Sequence, residues 1–532
     1  MLGDRSKVFF LLLSFCILPI LSLHSKPIQP LLANQKDTNE NAKCFQIERI
    51  DLKFTGLPQK SKKEFSYAHK IISNFKPISK HCLSAKDISN LLSKIQSRTI
   101  SKGYITTTFG LSPQSLSDHI LRINAEVGTI GKIRYINEPH MLSFKKDFPL
   151  KKGDVLDLRK IEVGLNNLRN LRYIKPQIYI TTDNNTSNQS ILTIDAPKLS
   201  LPVFLGGSID NGGSIGQNYQ ASLYGSWENP LHLADKLSFY ALSSLPMNKK
   251  NHSYYASVSY SIPIRRFSFS FDGSYSDSAQ EILFADIFPV YQGKNINLDL
   301  GIKVSAYADD KNQVSINLDG GVRLMESYLD DIKLDVQSYN LTDISLALGY
   351  QRKINNLVFN ISIGILQGLP MLKKHNEKIH TDYVYTIPNV NMYLYAPFKI
   401  WVLTFGYTSN IRTQISQDRL YASKKMSIGS RYTVRGFNHF SISGQMGVIY
   451  KNDLMVYLPS FWGITIAPNI GVDWGMVRDL IGDKQGGSLS GGGIGLNVLH
   501  KNFNAQISLN APLYNPYKAP VQNLFFSIGM NW

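Results

Sequence analysis

Between Leu201 and Trp532 the sequence keeps a two-residue period. Tyr254, Ala256, Val258, Tyr260 and Ile262 alternate with mainly hydroxyl-bearing neighbours, and Phe267, Phe269 and Phe271 continue the habit beyond a turn at Pro263 to Arg266. Ile296, Leu298, Leu300, Ile302 and Val304 alternate with Asn297, Asp299, Gly301, Lys303 and Ser305. Val314, Ile316, Leu318, Gly320 and Val322 alternate with Ser315, Asn317, Asp319, Gly321 and Arg323. Successive side chains of a strand point to opposite faces, so each run has one lipid-like and one water-like face. Apart from an apolar run near the amino terminus, no stretch is apolar over the roughly 20 residues that a spanning helix needs. Such a chain enters a membrane only as a closed sheet, because lipid offers no partner to the N–H and C=O groups of an open edge. Strands of about ten residues, apolar outside and polar inside, are the mark of an outer-membrane barrel. A soluble β-sandwich also alternates, but with its polar face outward and with fewer consecutive long strands.

Sixteen candidate strands begin near Leu201, Tyr219, Leu237, Ser253, Phe267, Ile296, Gln313, Thr342, Asn356, Tyr385, Ile400, Gly447, Gly463, Gly491, Phe503 and Asn523. An even number is what a single-chain bacterial barrel requires. The last run, Leu524, Phe526, Ile528, Met530 and Trp532, alternates to an aromatic terminus.

Residues 44 to 199 are of another kind, a mixed α/β pattern that occurs twice. Phe45 to Phe54 is strand-like, Ser61 to Phe75 helical, and Ser84 with Asp87 three residues on opens a second helix. Ile88, Leu91, Leu92 and Ile95 fall on one face of that helix, and Gly103 ends it. Strands are expected at Tyr104 to Phe109 and Leu121 to Val127. The order returns as a strand from Ile130 to Ile136, a short helical or irregular segment from Met141 to Phe148, and a helix marked by Leu158, Ile161, Leu165 and Leu168. Strands at Lys175 to Thr182 and Ser190 to Ala196 complete it. Each unit reads β-α-α-β-β.

A chain of 532 residues exceeds one ordinary core, which fits two small modules and a barrel. Met1 to Ser25, with Arg5 and Lys7 before the apolar Val8 to Leu23, reads as a secretory signal. Cys16 falls within it. The remaining Cys44 and Cys82 pass through an oxidising compartment and allow a single pairing, so a disulfide is expected, the alternative being two buried thiols. The net charge of +18 is scattered along the chain without a nucleic-acid motif. Acidic lipid or lipopolysaccharide at a membrane face is therefore the expected anionic partner, and nucleic acid is not. The histidines are dispersed, no Cys-x-x-Cys occurs, and the glycines from Gly486 to Gly493 read as a turn and strand edge rather than a nucleotide loop. No catalytic, metal or cofactor site is expected, and no enzyme activity.

The connection between the runs Ile400 to Asn410 and Gly447 to Leu458, about 411–443, is far longer than the two to five residues of a hairpin loop. It contains Arg431-Tyr432-Thr433-Val434-Arg435-Gly436-Phe437, in which an arginine precedes a glycine that permits close backbone approach and then an aromatic ring. Taken alone, Arg-Gly-Phe is an exposed turn with a stray arginine. Val434-Arg435-Gly436-Phe437 nonetheless resembles the lid-loop signature of the outer-membrane superfamily that carries polypeptide-transport-associated (POTRA) domains. The second signature of that superfamily, Gly-x-Asp-x-Gly on a nearby barrel strand, is matched by Gly471-Val472-Asp473-Trp474-Gly475. The resemblance implies that Arg435 reaches into the lumen and pairs with Asp473.

The two small modules resemble POTRA domains. Cys44-Phe45-x-Ile47, Cys82-Leu83 and Lys102-Gly103-Tyr104 are similar to the first such domain of two-partner secretion transporters of the haemolysin and filamentous-haemagglutinin type. That resemblance implies a Gram-negative outer-membrane location, modules in the periplasm and one unfolded secreted exoprotein as substrate. It also implies a terminal signal in Phe526, Ile528 and Trp532 read by the barrel-assembly machinery. Assembly insertases of the same superfamily usually carry more modules, and a passive porin or receptor leaves both modules and loop unexplained. Many such transporters also have a plug helix. Lys26 to Lys43, extended at about 3.5 Å per residue, can reach the barrel but cannot also form a long plug, so no full plug helix is expected. The expected division is signal peptide 1–25, linker 26–43, modules 44–128 and 129–199, and barrel 200–532.

Overall fold

The computed structural model describes residues 44–75, 82–137, 148–183, 188–213, 219–246, 248–282, 288–309, 311–372, 383–437, 440–479, 486–521 and 523–532. The expected signal peptide and linker lie outside these residues, as does nearly all of the segment from Met141 to Phe148.

Each module has a three-stranded sheet, with two α-helices described in the first module and one in the second. In the first, Arg49–Thr55 runs parallel to Ile120–Glu126, which pairs antiparallel with Thr108–Gly110. In the second, Thr129–Ile136 runs parallel to Gln189–Asp195, which pairs antiparallel with Gln177–Thr182. The shared pairing makes the internal repeat a structural one. Helix α1 (Ser66–Ser73) follows a 3-10 stretch at Gln59–Phe65, so the expected helix from Ser61 is α-helical only in its second half. Helix α2 (Ala85–Ser101) starts on a capping box: Ser84 Oγ accepts from Asp87 N at 3.2 Å and Asp87 Oδ2 accepts from Ser84 N at 3.0 Å. The Ser84 hydroxyl and backbone hold the Asp87 carboxyl below the usual carboxylate range. Leu83, Ile88, Leu91 and Ile95 bury against Leu121 and Ile123 as the first core.

Two expected strands are shorter than the alternation suggested. Phe45 to Phe54 divides, because Cys44–Phe45 pairs with Leu83–Ser84 while Arg49–Thr55 pairs elsewhere. Tyr104 to Phe109 is a strand only from Thr108, since Tyr104 N donates to Thr99 O and Thr107 N to Tyr104 O in a turn. That turn serves the junction between modules. Tyr104 packs with Phe65, Val127 and Val155, the last from the second module. Helix α3 (Leu158–Arg169) gives its Leu158 N–H, an orphan of the first turn, to the carbonyl of Gly103. Arg159 holds Asp157 through two 2.9 Å bonds and donates to Tyr104 Oη at 3.2 Å. Burial and then Glu64 push the Tyr104 hydroxyl well above its ordinary range.

The rest is a closed antiparallel barrel of sixteen strands. They are β1 (Val203–Asp210), β2 (Tyr219–Glu228), β3 (Lys236–Leu245), β4 (His252–Ile264), β5 (Phe267–Glu281), β6 (Val290–Ala308), β7 (Asn312–Leu329) and β8 (Tyr339–Ile354). The series continues with β9 (Leu357–Leu369), β10 (Thr386–Ile400), β11 (Leu403–Gln414), β12 (Met446–Tyr457), β13 (Thr465–Arg478), β14 (Gly486–Leu499), β15 (Phe503–Tyr514) and β16 (Leu524–Asn531). A two-residue strand, Ile332–Lys333, extends the tip of β7. The ring closes where β16 pairs with β1, from Ser527 opposite Asp210 to Asn531 opposite Gly206, and Trp532 N donates to Leu205 O at 2.8 Å. Phe526 pairs with Ile507 on β15, and Ile528 and Trp532 face outward, 57% and 69% exposed. Turns are short at the end that carries the modules, where Trp401 and Trp462 stand 96% and 85% exposed, as tryptophans do at a membrane interface. No described helix is long and apolar enough to cross a membrane.

Three readings of the strands need correction. Ile400 ends β10 instead of opening β11: it pairs with Leu403 across a two-residue turn in which Trp401 has φ +55°. The expected loop 411–443 spans 415–445, because Ile411 to Gln414 are paired on both sides, with Asn389 to Met392 and with Gly447 to Tyr450. The glycines from Gly486 to Gly493, read as a turn and strand edge, are the first half of β14: all pair with β13, and Gly491 to Gly493 also pair with β15.

The second module is joined to the barrel through side chains. Glu228, 3% exposed at the end of β2, accepts from Arg172 N at 2.6 Å and Tyr173 N at 3.1 Å. Asn229 donates to Tyr173 Oη at 3.0 Å, and Ala234 from the same barrel turn lies in the core of the second module.

The structure joins Cys44 to Cys82 with their Cα atoms 5.4 Å apart. Closing a loop of this length should contribute up to about 4 kcal/mol. Cys82→Ser is therefore expected to lower the urea midpoint of the first module without moving that of the barrel, and one shared shift would contradict it. Glu228→Ala leaves the buried Tyr173 N–H and the half-buried Arg172 N–H without this acceptor and should weaken the module–barrel junction by about 1 to 3 kcal/mol. Faster hydrogen exchange at Arg172 and Tyr173, with the barrel strands still protected, is the expected reading.

Candidate functional site

The connection from β11 to β12 turns back into the barrel. Met426–Ile428 pairs with Ile442–Gly444 as a small hairpin inside the ring. At its tip Thr433 Oγ1 accepts from Gly429 N and Ser430 N, both at 3.1 Å, and Val434 N donates to Ser430 O at 2.8 Å. These bonds shape the turn that presents Arg435. On either side of it Val434 and Phe437 are buried, 0% and 1% exposed, among Ile428, Ile449, Val477 and Leu489. The loop is thus docked through an apolar patch on the inner wall.

Arg435 is held by two carboxylates. Its Nε and Nη2 each donate at 2.8 Å to the two oxygens of Asp473, and its backbone N–H adds a third bond to Asp473 Oδ2 at 3.0 Å. Nη1 and Nη2 donate to Asp453 at 2.8 and 3.0 Å. The guanidinium is planar with its donors in a fixed fork, so both carboxylates are met side by side, which an ammonium cannot do. Asp473 is fully buried, and Lys451 Nζ lies 4.0 Å from it. The group carries two positive and two negative charges and so balances a burial that would be costly for any one of them.

The wall is shaped for this contact by its register. Asp473 on β13 lies opposite Lys451 of β12 and Gly491 of β14, while Asp453 lies opposite Gly471. A Cβ on Gly471 would come 2.0 Å from Arg435 Nη1, and one on Gly491 would come 1.8 Å from the Arg435 carbonyl oxygen. At Gly475 it would press on Ile428 and Val434 at 2.9 and 3.0 Å. Gly436 has φ +88° and runs so close to Ala511 that a side chain there would meet its backbone at 2.6 Å. The glycines clear a lane along which the loop backbone lies on the wall.

The structure brings Val434, Arg435, Gly436 and Phe437 together with Gly471, Asp473 and Gly475. Reading the sequence missed Asp453, Gly491 and Arg431. Arg431 Nη1 lies 3.2 Å from Asp210 on β1, and its guanidinium sits 3.7 Å over the ring of Phe525 on β16. The loop therefore touches both the docking wall and the seam where the barrel closes. Asp453 carried a signal in the sequence, a charged residue two positions after Lys451 and on the same face of its strand. Arg431 and Gly491 did not, since their partners are remote in the chain.

A family profile described as "Haemolysin secretion/activation protein ShlB/FhaC/HecB" matches residues 188–498. A "POTRA domain, ShlB-type" profile matches 46–128, and a "POTRA domain" profile matches 129–181. The hemolysin transporter protein HpmB of Proteus mirabilis is 25% identical over 485 residues, covering 86% of this chain and 82% of that protein. The outer membrane transporter CdiB-2 of Burkholderia pseudomallei (strain 1026b) is 23% identical over 501 residues, covering 90% and 84%. Among solved structures, CdiB from Escherichia coli shares the fold with a TM-score of 0.83 at 22% identity, over 94% of this chain and 93% of that one. The chain belongs to the ShlB/FhaC/HecB family of haemolysin secretion/activation proteins, outer-membrane barrel transporters with periplasmic POTRA domains.

Proposed function

We propose that this protein exports one dedicated, unfolded polypeptide through its barrel, with the Arg435 loop as a displaceable lid. The observation that carries the reading is the doubly bidentate arginine on a loop folded into the lumen. The loop is bound to the wall by ion pairs, hydrogen bonds and one apolar patch, and none of these is covalent. Residues 44–128 and 129–199 act as two periplasmic modules that present an extended chain to a barrel formed by 200–532. Free sheet edges such as Arg49–Thr55 and Gln177–Thr182 can each accept one more strand by backbone pairing alone. In this reading Phe526, Ile528 and Trp532 are the segment read by the assembly machinery, and the outward face meets lipid and lipopolysaccharide.

Arg435→Ala and Asp473→Ala should each impair export while leaving an inserted barrel. Breaking a buried pair costs about 3 to 5 kcal/mol, and water in the lumen lowers this. The double variant should be markedly less than additive, with a coupling of about 2 kcal/mol in the rate of proteolytic cleavage of the loop. Arg435→Lys should behave like the alanine variant, because one ammonium cannot serve both forks. Additive losses would show that the pair is not a latch.

The export reading itself is tested by searching the neighbouring reading frames for a large secreted protein with a signal peptide, co-expressing it with this chain and measuring it in the medium; finding no such frame would count against the reading. Deletion of 44–199 should abolish that protein's appearance. Undiminished secretion without the modules, or growth defects in outer-membrane protein assembly with secretion intact, would favour an insertase instead.

A further inference from the structure

Where the second module meets the barrel, a cavity of about 530 Å³ opens between the last turn of α3 and the turns joining β4 to β5 and β6 to β7. Asn167 Nδ2 donates to Arg265 O at 2.9 Å and holds the helix over it. Arg266, Lys303, Lys311 and Lys353 line this space, and none of the four has a carboxylate at ion-pair distance among the described residues. A fifth cation, Arg169, is already paired with Glu162 at 3.1 Å. Among the described lining residues the one carboxylate is Asp309. Its oxygens are taken up locally by Lys311 N, Asn312 N and Tyr307 Oη at 2.8, 2.5 and 2.7 Å. The vestibule therefore carries an excess of positive charge that the protein does not neutralise, and like charges held together gain most from a counter-charge brought from outside.

The surroundings say which counter-charge fits. A second cavity shares Lys303, Gln313 and Gln351 with the first and continues along the wall past the amides of Asn317 and Asn360. Lys303 has the inward parity of Asp299 and Ser305 on β6, so its ammonium faces the conduit and not the lipid. Amides and hydroxyls of this kind can pair with the backbone N–H and C=O of an extended chain. Further along, the sign changes. Asp272 and Asp299 stand opposite each other on β5 and β6, and Arg323 neutralises only Asp299, at 2.6 Å.

We infer that this vestibule is a docking surface for an acidic, extended polypeptide segment on its way into the barrel. The inference rests on the export reading above and names the chemistry of what enters. Acidic residues are drawn to the mouth, and the carboxylates deeper in the wall keep them from lodging in the lumen.

The test uses the full chain in nanodiscs of phosphatidylcholine, with fluorescein-labelled peptides of repeated Gly-Ser-Asp, Gly-Ser-Asn or Gly-Ser-Lys followed by anisotropy. At low salt the Asp peptide should bind at least about tenfold more tightly than the Asn peptide, and the Lys peptide should not bind; high salt should erase the difference. The quadruple variant Arg266→Gln, Lys303→Gln, Lys311→Gln, Lys353→Gln should lose that tenfold preference. A variant with Lys303→Arg, Lys311→Arg and Lys353→Arg should keep it, which separates charge from a folding defect. Equal binding of the Asp and Asn peptides, or an Asp preference that survives the glutamine variant, would overturn the inference. So would inorganic phosphate or phosphatidylglycerol displacing the peptide at matched charge, which would mark a general anion or lipid headgroup site. No exoprotein enters this assay. A chain that fails to export but shows the charge preference counts against the proposed function alone, and one that exports yet binds all peptides alike counts against the vestibule alone.

Discussion

Everything in this protein depends on closing the sheet. A strand in lipid cannot leave N–H or C=O groups unpaired, so β16 must return to β1, and the seam runs from Asp210 opposite Ser527 to Asn531 opposite Gly206. Closure makes two surfaces of different chemistry. Outside stand residues such as Leu300 and Ile528, 65% and 57% exposed; inside, the alternate positions hold Asn, Ser, Asp and Lys. A polar interior is what allows a charged loop to be stored within the membrane's thickness.

The loop is stored through a buried carboxylate that is stable only in company. Asp473 has no exposure, and Arg435 with Lys451 provides the compensating charge while Asp453 occupies the rest of the guanidinium. Both halves of the bargain are non-covalent and lie on different elements, one on a wall strand and one on a long loop. Position of the loop and electrostatic balance of the wall are therefore one property. The glycines at 471 and 491 matter for the same reason, since any side chain there would occupy the space of Arg435 itself.

At the opposite end the periplasmic modules are continuous with the barrel. Leu158 of the second module is capped by a carbonyl of the first, and the Asn229 to Asp235 turn of the barrel shares a core with the second module. Movement of one module would therefore be felt by its neighbour, and the basic vestibule sits where that chain of contacts ends.

The sequence by itself determined the membrane-barrel class, the even set of strands, the repeated α/β modules and the chemistry of each face. These follow from periods of two and 3.6 residues, which are local. The single pairing open to Cys44 and Cys82 was likewise legible. Two motifs singled out Arg435 and Asp473, but only through their resemblance to a family, because nothing in either segment states how far apart they lie in space. Tertiary structure alone decided the register that sets Asp473 between Lys451 and Gly491, the second fork to Asp453, and the reach of Arg431 to Asp210, 221 positions away. It also turned the glycine run from an apparent turn into the lane of β14 on which the loop lies. Register is a property of strand pairs: a shift of one residue would turn Asp473 from the lumen to the lipid, and no single strand carries the information that forbids it.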